Sequence, residues 1–263
     1  RGLFHMASTE QLFEIYRKFP CRTLPNAFWK TASRLDGGTL DIQSDHEGNL
    51  VYLKVVANRA CLAFWCANPS ELPTMPDQIN PFEIVLVHDS CRDAFSSQKF
   101  KQNKPYFRIR HKGKVERHDC PPGFLFKEAN PETEIEAVVS FIQSCYQNIS
   151  VTPEIVHGWL SHPVFDPTLW VWIIEANSGQ KAALGIAELD PAVPEASLEW
   201  IQVRPEFQQR GLGKALVIEL LARVDGKVLF TTVSGETNNK TQPERLYRNC
   251  GFTGSDIWWL LTN

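Results

Sequence analysis

Two glycines, Gly211 and Gly213, stand two positions apart in residues 207–216 (FQQRGLGKAL), and Arg210 directly precedes them. Glycine lets the backbone adopt positive φ and approach a ligand closely. The apolar run that follows predicts a helix beginning at this turn. The first N–H groups of a helix lack intrahelical partners, and the helix dipole adds partial positive charge there. The segment therefore predicts an anion-binding turn, which the guanidinium of Arg210 supplements.

Two common phosphate-binding patterns are excluded at this turn. The nucleoside-triphosphate loop GxxxxGK[ST] is absent, because Ala215 stands where Ser or Thr is required. The dinucleotide fingerprint GxGxxG fails, because Leu216 occupies its third glycine position. The pattern that remains is Gln208-x-x-Gly211-x-Gly213. A tightly packed helix start without a ligand is the alternative interpretation.

The second half of the chain predicts the elements that position this turn. Its periodicity gives the order β-α-α-β-β-β-α-β-α-β, an α/β class with a mixed sheet and helices on both faces. Thr152 and Pro153 have the types expected at a helix cap and first helical position. The predicted strands are 123–129, 168–176, 181–190, 196–205, 227–234 and 256–262. The predicted helices are 130–148, 152–162, an apolar helix that follows the glycine turn and ends at about Val224, and 243–252.

The turn resembles the acyl-CoA-binding motif [Q/R]-x-x-G-x-[G/A] of the GCN5-related N-acetyltransferases (GNAT). Residues 238–252 (NNKTQPERLYRNCGF) are similar to a second family stretch, Asn…LeuTyr…GlyPhe. The resemblance covers residues 123–263 and implies a GNAT fold with acetyl-CoA as cosubstrate. It implies main-chain contacts to the pantetheine arm from the fourth strand of the domain and pyrophosphate contacts from the turn. The cofactor-binding residues implied are Ile201, Gln202, Val203, Gln208, Gln209, Arg210, Gly211, Leu212, Gly213, Lys214, Asn238 and Asn239.

Two residues are candidates for the proton transfers of amine acetylation. Glu199 lies on the fourth strand and is predicted to accept the amine proton through water; the alternative is a solvent-facing glutamate. Because a regular strand alternates, Glu199 and Trp200 are expected to face opposite sides. Tyr247 matches the family's helix tyrosine and is predicted to protonate the leaving thiolate; the alternative is a tyrosine packed for its area. Cys250 is expected to be a buried structural thiol.

An acidic cluster lies near the fourth strand, within twelve residues. If several of its carboxylates face the cleft, they attract a protonated amine; the alternative is an exposed turn with acids kept for solubility. Its members are Glu188, Asp190, Glu195 and Glu199.

Residues 7–120 predict a smaller α+β domain, which joins a GNAT domain at 121–263. The smaller domain is either a degenerate GNAT-like half or an unrelated cap. The basic segment 108–117 (RIRHKGKVER) predicts a solvated linker or edge strand. Residues 1–6 do not have the pattern of a signal peptide and are set aside.

The bulk composition excludes several classes of protein. A net charge of −3 argues against a nucleic-acid binder that relies on bulk charge. Seven scattered cysteines without a CxxC pair predict a reduced, cytoplasmic protein. The sequence has no apolar run of about 18 residues, and a membrane span is not expected. No metal site is predicted.

The sequence therefore predicts an N-acetyltransferase that moves an acetyl group from acetyl-CoA to a primary amine of a small molecule or peptide by direct attack. A monomer or homodimer is expected. One alternative is a non-catalytic acyl-CoA-binding sensor, which would not need Glu199 or Tyr247. A protein-interaction module, which would need no coenzyme A, is the other.

Overall fold

The computed structural model describes residues 2–34, 38–57, 61–68, 84–96, 99–145 and 150–263. Contacts between Cα atoms group the chain into two compact units. The first comprises Arg1–Arg110, Thr232–Glu244 and Thr253–Asn263, and the second comprises His111–Thr231 and Arg245–Phe252. The division of the sequence into domains at 7–120 and 121–263 stays a prediction.

The chain forms the following helices and strands over its described residues. The helices are α1 (Gly2–Lys18), α2 (Pro20–Thr23), α3 (Phe28–Ala32), α4 (Ile135–Cys145), α5 (Pro153–Leu160), α6 (Leu212–Val224) and α7 (Pro243–Arg248). The strands are β1 (Thr39–Ser44), β2 (Leu50–Ala57), β3 (Cys61–Cys66), β4 (Ile84–His88), β5 (Gln102–His111), β6 (Phe124–Glu128), β7 (Trp170–Glu175), β8 (Lys181–Asp190), β9 (Glu195–Val203), β10 (Phe230–Glu236) and β11 (Thr253–Thr262). From β6 onward, the predicted element order is confirmed.

The sheet of the first unit has the strand order β1-β2-β3-β4-β11-β5-β10. Strands β3 and β4 are parallel, whereas β11 is antiparallel to both β4 and β5. The chain returns to this unit at its end because β11 pairs between two strands formed more than 140 residues earlier.

The expectation of a solvated linker or edge strand at residues 108–117 is wrong for its first part. Arg108 belongs to β5, and only 2% of its surface is exposed. Its guanidinium donates to the hydroxyls of Tyr16 and Ser234, at 2.9 and 3.0 Å. The apolar residues Phe107 and Ile109 flank it and are buried as well. Charge alone suggested a solvated segment, but these hydroxyl partners allow the arginine to be buried.

A partly buried carboxylate lies at the β4–β11 pair. The Asp256 carboxylate lies 3.1 Å from His88 Nε2 and 3.6 Å from Arg22 Nε. Burial alone would raise the pKa of Asp256, but the hydrogen bonds and charges of His88 and Arg22 outweigh it and hold that pKa below its usual value. The charged carboxylate is therefore a stabilising part of this unit at neutral pH.

The second unit contains the antiparallel strand order β9-β8-β7-β6. Helices α4 and α5 cover one face, where Trp170 and Trp172 are buried. Helix α6 covers the other face. There, a Cβ added at Gly185 of β8 would lie only 2.8 Å from Leu216, because helix and strand pack closely. Both faces of β8 are therefore covered by helices.

Within the described residues, no helix is long and apolar enough to cross a membrane.

Candidate functional site

The predicted anion-binding turn forms the start of α6. Gly211 caps the helix in the left-handed conformation, with φ 79° and ψ −1°, and no side chain caps the helix. Gln209 also has a positive φ, 62°. The first intrahelical bond of α6 runs from Ala215 N–H to the Gly211 carbonyl. The N–H groups just before Ala215 therefore lack α-helical acceptors, as the anion-binding interpretation requires.

The surface of this turn fits an anionic group. Gln208, Gln209, Arg210, Gly211 and Lys214 are exposed, whereas Leu212 is buried and anchors the turn in the core. A Cβ at Gly211 would have its nearest neighbour, Pro121 Cγ, at 4.0 Å, so the space beside the glycine is open. These residues match the needs of a pyrophosphate: uncapped amides, an open approach and two basic side chains.

Two side chains of the turn have local contacts. The Arg210 guanidinium lies 5.3 Å from the centre of the Phe207 ring and donates to the Glu206 carbonyl at 3.3 Å. Gln208 Nε2 donates to the Val203 carbonyl, also at 3.3 Å. The Gln208 hydrogen bond connects the turn to the end of β9.

Gly213 is the point where three elements of the second unit meet. A Cβ at this position would lie 3.4 Å from Leu246 Cδ2 of α7 and 3.7 Å from Val203 Cγ2 of β9. The small residue lets α7 and the end of β9 approach the start of α6. Tyr247 directly follows Leu246, so the predicted proton donor is carried on the element that packs against the turn.

Tyr247 is buried, with 7% of its surface exposed. Its ring makes an edge contact with Phe252, at 5.6 Å between ring centres. Cys250, in the same segment, is buried as predicted. Burial raises the pKa of the Cys250 thiol to about 11, against the opposing charge of Lys214. Cys250 is therefore a protonated thiol at neutral pH, which does not suit a nucleophile.

The three β9 residues predicted to contact the cofactor differ in their main-chain environment. Arg204 N–H donates to the Ala182 carbonyl of β8. Because hydrogen-bonded pairs alternate along an antiparallel ladder, the main-chain groups of Gln202 also point to β8, whereas those of Ile201 and Val203 point away from it. The side-chain amide of Gln202 is buried and has no hydrogen-bond partner among the described residues.

Glu199 occupies a β-bulge. Trp200 pairs with Ile186 and Leu198 pairs with Ala187, which leaves Glu199 as an extra residue on β9. Its carboxylate accepts a 2.6 Å hydrogen bond from Ser197 Oγ. The expectation that Glu199 and Trp200 face opposite sides assumed a regular strand, and a bulge breaks that alternation. The bulge is a feature for which we found no signal in the sequence.

The acidic cluster is only partly available to a ligand. Asp190 and Glu195 have 7% and 1% of their surfaces exposed. Asp190 accepts hydrogen bonds from the N–H groups of Ala192 and Val193 and thereby stabilises the β8–β9 turn. The expectation of a negative mouth formed by four carboxylates is therefore wrong for Asp190 and Glu195. Glu188 and Glu199 remain partly exposed.

Asn238 and Asn239 belong to the first unit, whereas the turn belongs to the second. Asn238 is exposed. The side-chain oxygen of Asn239 accepts from the N–H and hydroxyl of Thr241, at 3.0 and 2.8 Å. Their contact with a cofactor stays a prediction.

No group of three or more His, Cys, Asp or Glu side chains suited to a metal ion occurs among the residues that the structure describes. One histidine contact was missed from the sequence. His162 Nδ1 lies 3.4 Å from Glu188 Oε1 of β8, a partner 26 residues away that no local spacing indicates.

Residues 167–254 match the family model of the acetyltransferase (GNAT) domain. No curated protein matches the sequence. A solved GCN5-related N-acetyltransferase from Sphaerobacter thermophilus is similar, with a TM-score of 0.63 and 15% identity over 82% of this chain and 78% of that one.

Two further structures are similar over nearly the whole chain. One is a GNAT-family acetyltransferase from Colwellia psychrerythraea, with a TM-score of 0.59 and 15% identity over 97% of each chain. The other is a tandem GNAT protein from the clavulanic acid biosynthesis pathway, with a TM-score of 0.54 and 12% identity over 98% of this chain and 94% of that one. At these identities the similarity shows the fold, and it agrees with the predicted fold class.

Proposed function

We propose that this chain, whose residues 167–254 match the family model of the acetyltransferase (GNAT) domain, is an acyltransferase that transfers an acetyl group from acetyl-CoA to a primary amine by direct attack. The observation that carries the proposal is the meeting of β9, the uncapped start of α6 and α7 around Gly213. It brings the predicted cofactor turn and the predicted proton donor onto adjoining elements.

The turn binds the cosubstrate in this proposal. The backbone N–H groups of residues 211–214 receive the pyrophosphate, and Arg210 and Lys214 add positive charge. The main-chain groups of Ile201 and Val203, which point away from β8, receive the pantetheine arm. The roles of Gln202, Asn238 and Asn239 follow from the family resemblance alone.

Glu199 and Tyr247 perform the two proton transfers. Glu199 accepts a proton from the substrate ammonium through water, which leaves a neutral amine. The amine nitrogen then forms a bond to the thioester carbonyl carbon, and the carbon–sulfur bond breaks. Tyr247 donates its phenolic proton to the departing thiolate. The attacking nitrogen loses one proton to water and the phenolate regains one from water, so the products are an amide and free coenzyme A. Attack requires the two reactants to be aligned, which the turn and β9 provide.

The proposal also covers the acceptor, the domain at residues 7–120, the cellular compartment and the oligomeric state. The acceptor is a primary amine of a small molecule or peptide. The similarity to a tandem GNAT protein supports a GNAT-like half at residues 7–120. The cysteine usage of the sequence supports the cytoplasm as the compartment, and a monomer or homodimer is proposed.

The test is release of free thiol from acetyl-CoA with a panel of primary amines, with mass analysis of the products. We expect thiol release that depends on the amine and a product that carries one added acetyl group. Calorimetry with coenzyme A alone measures the binding step separately. Coenzyme A binding without amine-dependent thiol release for any panel member would contradict the proposed acetyl transfer.

A further inference from the structure

A pair of stacked tryptophans lies on the face of the sheet that α4 and α5 cover. The rings of Trp159 on α5 and Trp200 on β9 are nearly parallel, at 27°, with centres 5.5 Å apart. Both are partly exposed, and both pack against the core beneath them, which includes Trp170. Trp159 also approaches Trp170, at 6.2 Å between ring centres. The pair therefore presents flat aromatic surface that the core holds in place.

Carboxylates share this face with the tryptophans. Trp200 pairs with Ile186 and Ser197 pairs with Glu188 across the β8–β9 ladder. Ile186 and Glu188 stand two positions apart on β8, so Trp200, Ser197 and Glu188 face the same side.

Two hydrogen-bonded pairs extend this set. Ser197 donates to Glu199, and His162, two residues beyond α5, contacts Glu188. The Glu188 side chain is only 13% exposed and that of His162 is 32% exposed. A carboxylate with so little water around it favours a cationic partner. Negative charge and aromatic surface thus lie on one face, beside the bulge that carries the predicted base.

We propose that Trp159 and Trp200 determine acceptor specificity, selecting a primary ammonium that a short chain joins to a flat, apolar ring. The inference rests on the proposed acetyl transfer and names the acceptor class of that same site. The ring of the acceptor packs against the tryptophan pair, while Glu188 and Glu199 attract its ammonium group. The two carboxylates favour this occupant over a neutral molecule.

Two amines of equal charge and chain length test whether the site selects a flat ring or any apolar group. They are 2-phenylethylamine, whose six-membered ring is flat and aromatic, and 2-cyclohexylethylamine, whose six-membered ring is saturated and puckered. We expect kcat/KM to favour the phenyl compound on the order of 2- to 12-fold, the range that one aromatic pair supplies. Trp159→Leu, which keeps apolar volume without a ring, should abolish the preference, and Trp159→Phe should retain part of it.

The control variant is Trp29→Leu, which removes a partly exposed tryptophan of the first unit. It should leave the preference for the phenyl compound unchanged. Thermal unfolding and coenzyme A affinity of each variant check that folding and the cosubstrate turn are intact. Equal kcat/KM for the two amines in the unaltered protein, or a preference that survives in Trp159→Leu, would overturn the inference.

Calorimetric binding of the two amines in the presence of coenzyme A distinguishes this failure from failure of the proposed function. Preferential binding of the phenyl compound without turnover would contradict acetyl transfer and support the inference. Turnover of both compounds without preference would support acetyl transfer and contradict the inference. Neither turnover nor preferential binding would contradict both.

Discussion

Alanine substitutions at Gly211 and Gly226 impose similar backbone strain beside the two ends of α6. Gly211 has φ 79° and Gly226 has φ 74°, so both lie in the left-handed region. Neither added Cβ meets a close neighbour: nothing lies within 4 Å at Gly226, and the nearest atom at Gly211 is 4.0 Å away. The two variants therefore differ mainly in whether the methyl group lies at the proposed binding turn.

The expected loss of stability follows from the backbone. A non-glycine residue in the left-handed conformation costs roughly 1–2 kcal/mol. For a chain of this size, each kcal/mol lowers Tm by about 2–4 °C. Gly211→Ala and Gly226→Ala should therefore lower Tm by similar amounts.

The expected loss of coenzyme A affinity is confined to Gly211→Ala. A methyl group there prevents the close approach of phosphate to the first amides of α6. Loss of one hydrogen bond to a charged group costs about 1.5–3 kcal/mol, which corresponds to a roughly 10- to 150-fold higher Kd. Gly226→Ala should leave Kd unchanged.

Calorimetric titration with coenzyme A and thermal unfolding without ligand measure both quantities on the same samples. Equal Kd values for Gly211→Ala, Gly226→Ala and the unaltered protein would refute the anion-binding role of the turn. Equal losses of affinity in both variants would show that strain in α6, and not position, controls binding.

Three further changes test other parts of the molecule. Tyr247→Phe should lower kcat on the order of 100-fold, with a smaller change in KM for acetyl-CoA, because the phenol acts in the transition state; steady-state kinetics with unchanged kcat would exclude the tyrosine as the acid. Glu199→Gln should lower kcat/KM more than Glu136→Gln, an exposed glutamate on α4, and equal values would leave Glu199 without a catalytic role. Asp256→Asn should lower the free energy of unfolding at pH 7. The pKa of Asp256 is lowered in the folded protein by His88, so the stabilising effect of this carboxylate is present above the unfolded pKa near 3.9 and is lost as pH falls through the folded pKa. Chemical denaturation should therefore show a smaller difference in free energy of unfolding between the variant and the unaltered protein at pH 3 than at pH 7. An equal difference at both pH values would contradict the ion pair.

Local signals in the sequence predicted the frame of the second half well. Thr152 and Pro153 indicated a helix start, and the structure begins α5 at Pro153, with the Thr152 hydroxyl accepting from Ile155 N–H. Gly211 and Gly213 indicated a turn at a helix start, and α6 begins at Leu212. These features depend on φ, on caps and on apolar periodicity, which act within a few residues and are visible in one sequence.

Contacts between distant segments were decided only by the tertiary structure. Arg108 is buried because Tyr16 and Ser234, 92 and 126 residues away, supply hydroxyl partners. The orientation of Glu199 depends on a one-residue shift in the pairing of β9 with β8, and the sequence of β9 gives no signal of that shift. Trp159 and Trp200 meet only because α5 packs on β9. Each of these outcomes is set by the register or packing of a partner element, and residue types along a single segment do not encode which partner will lie against it.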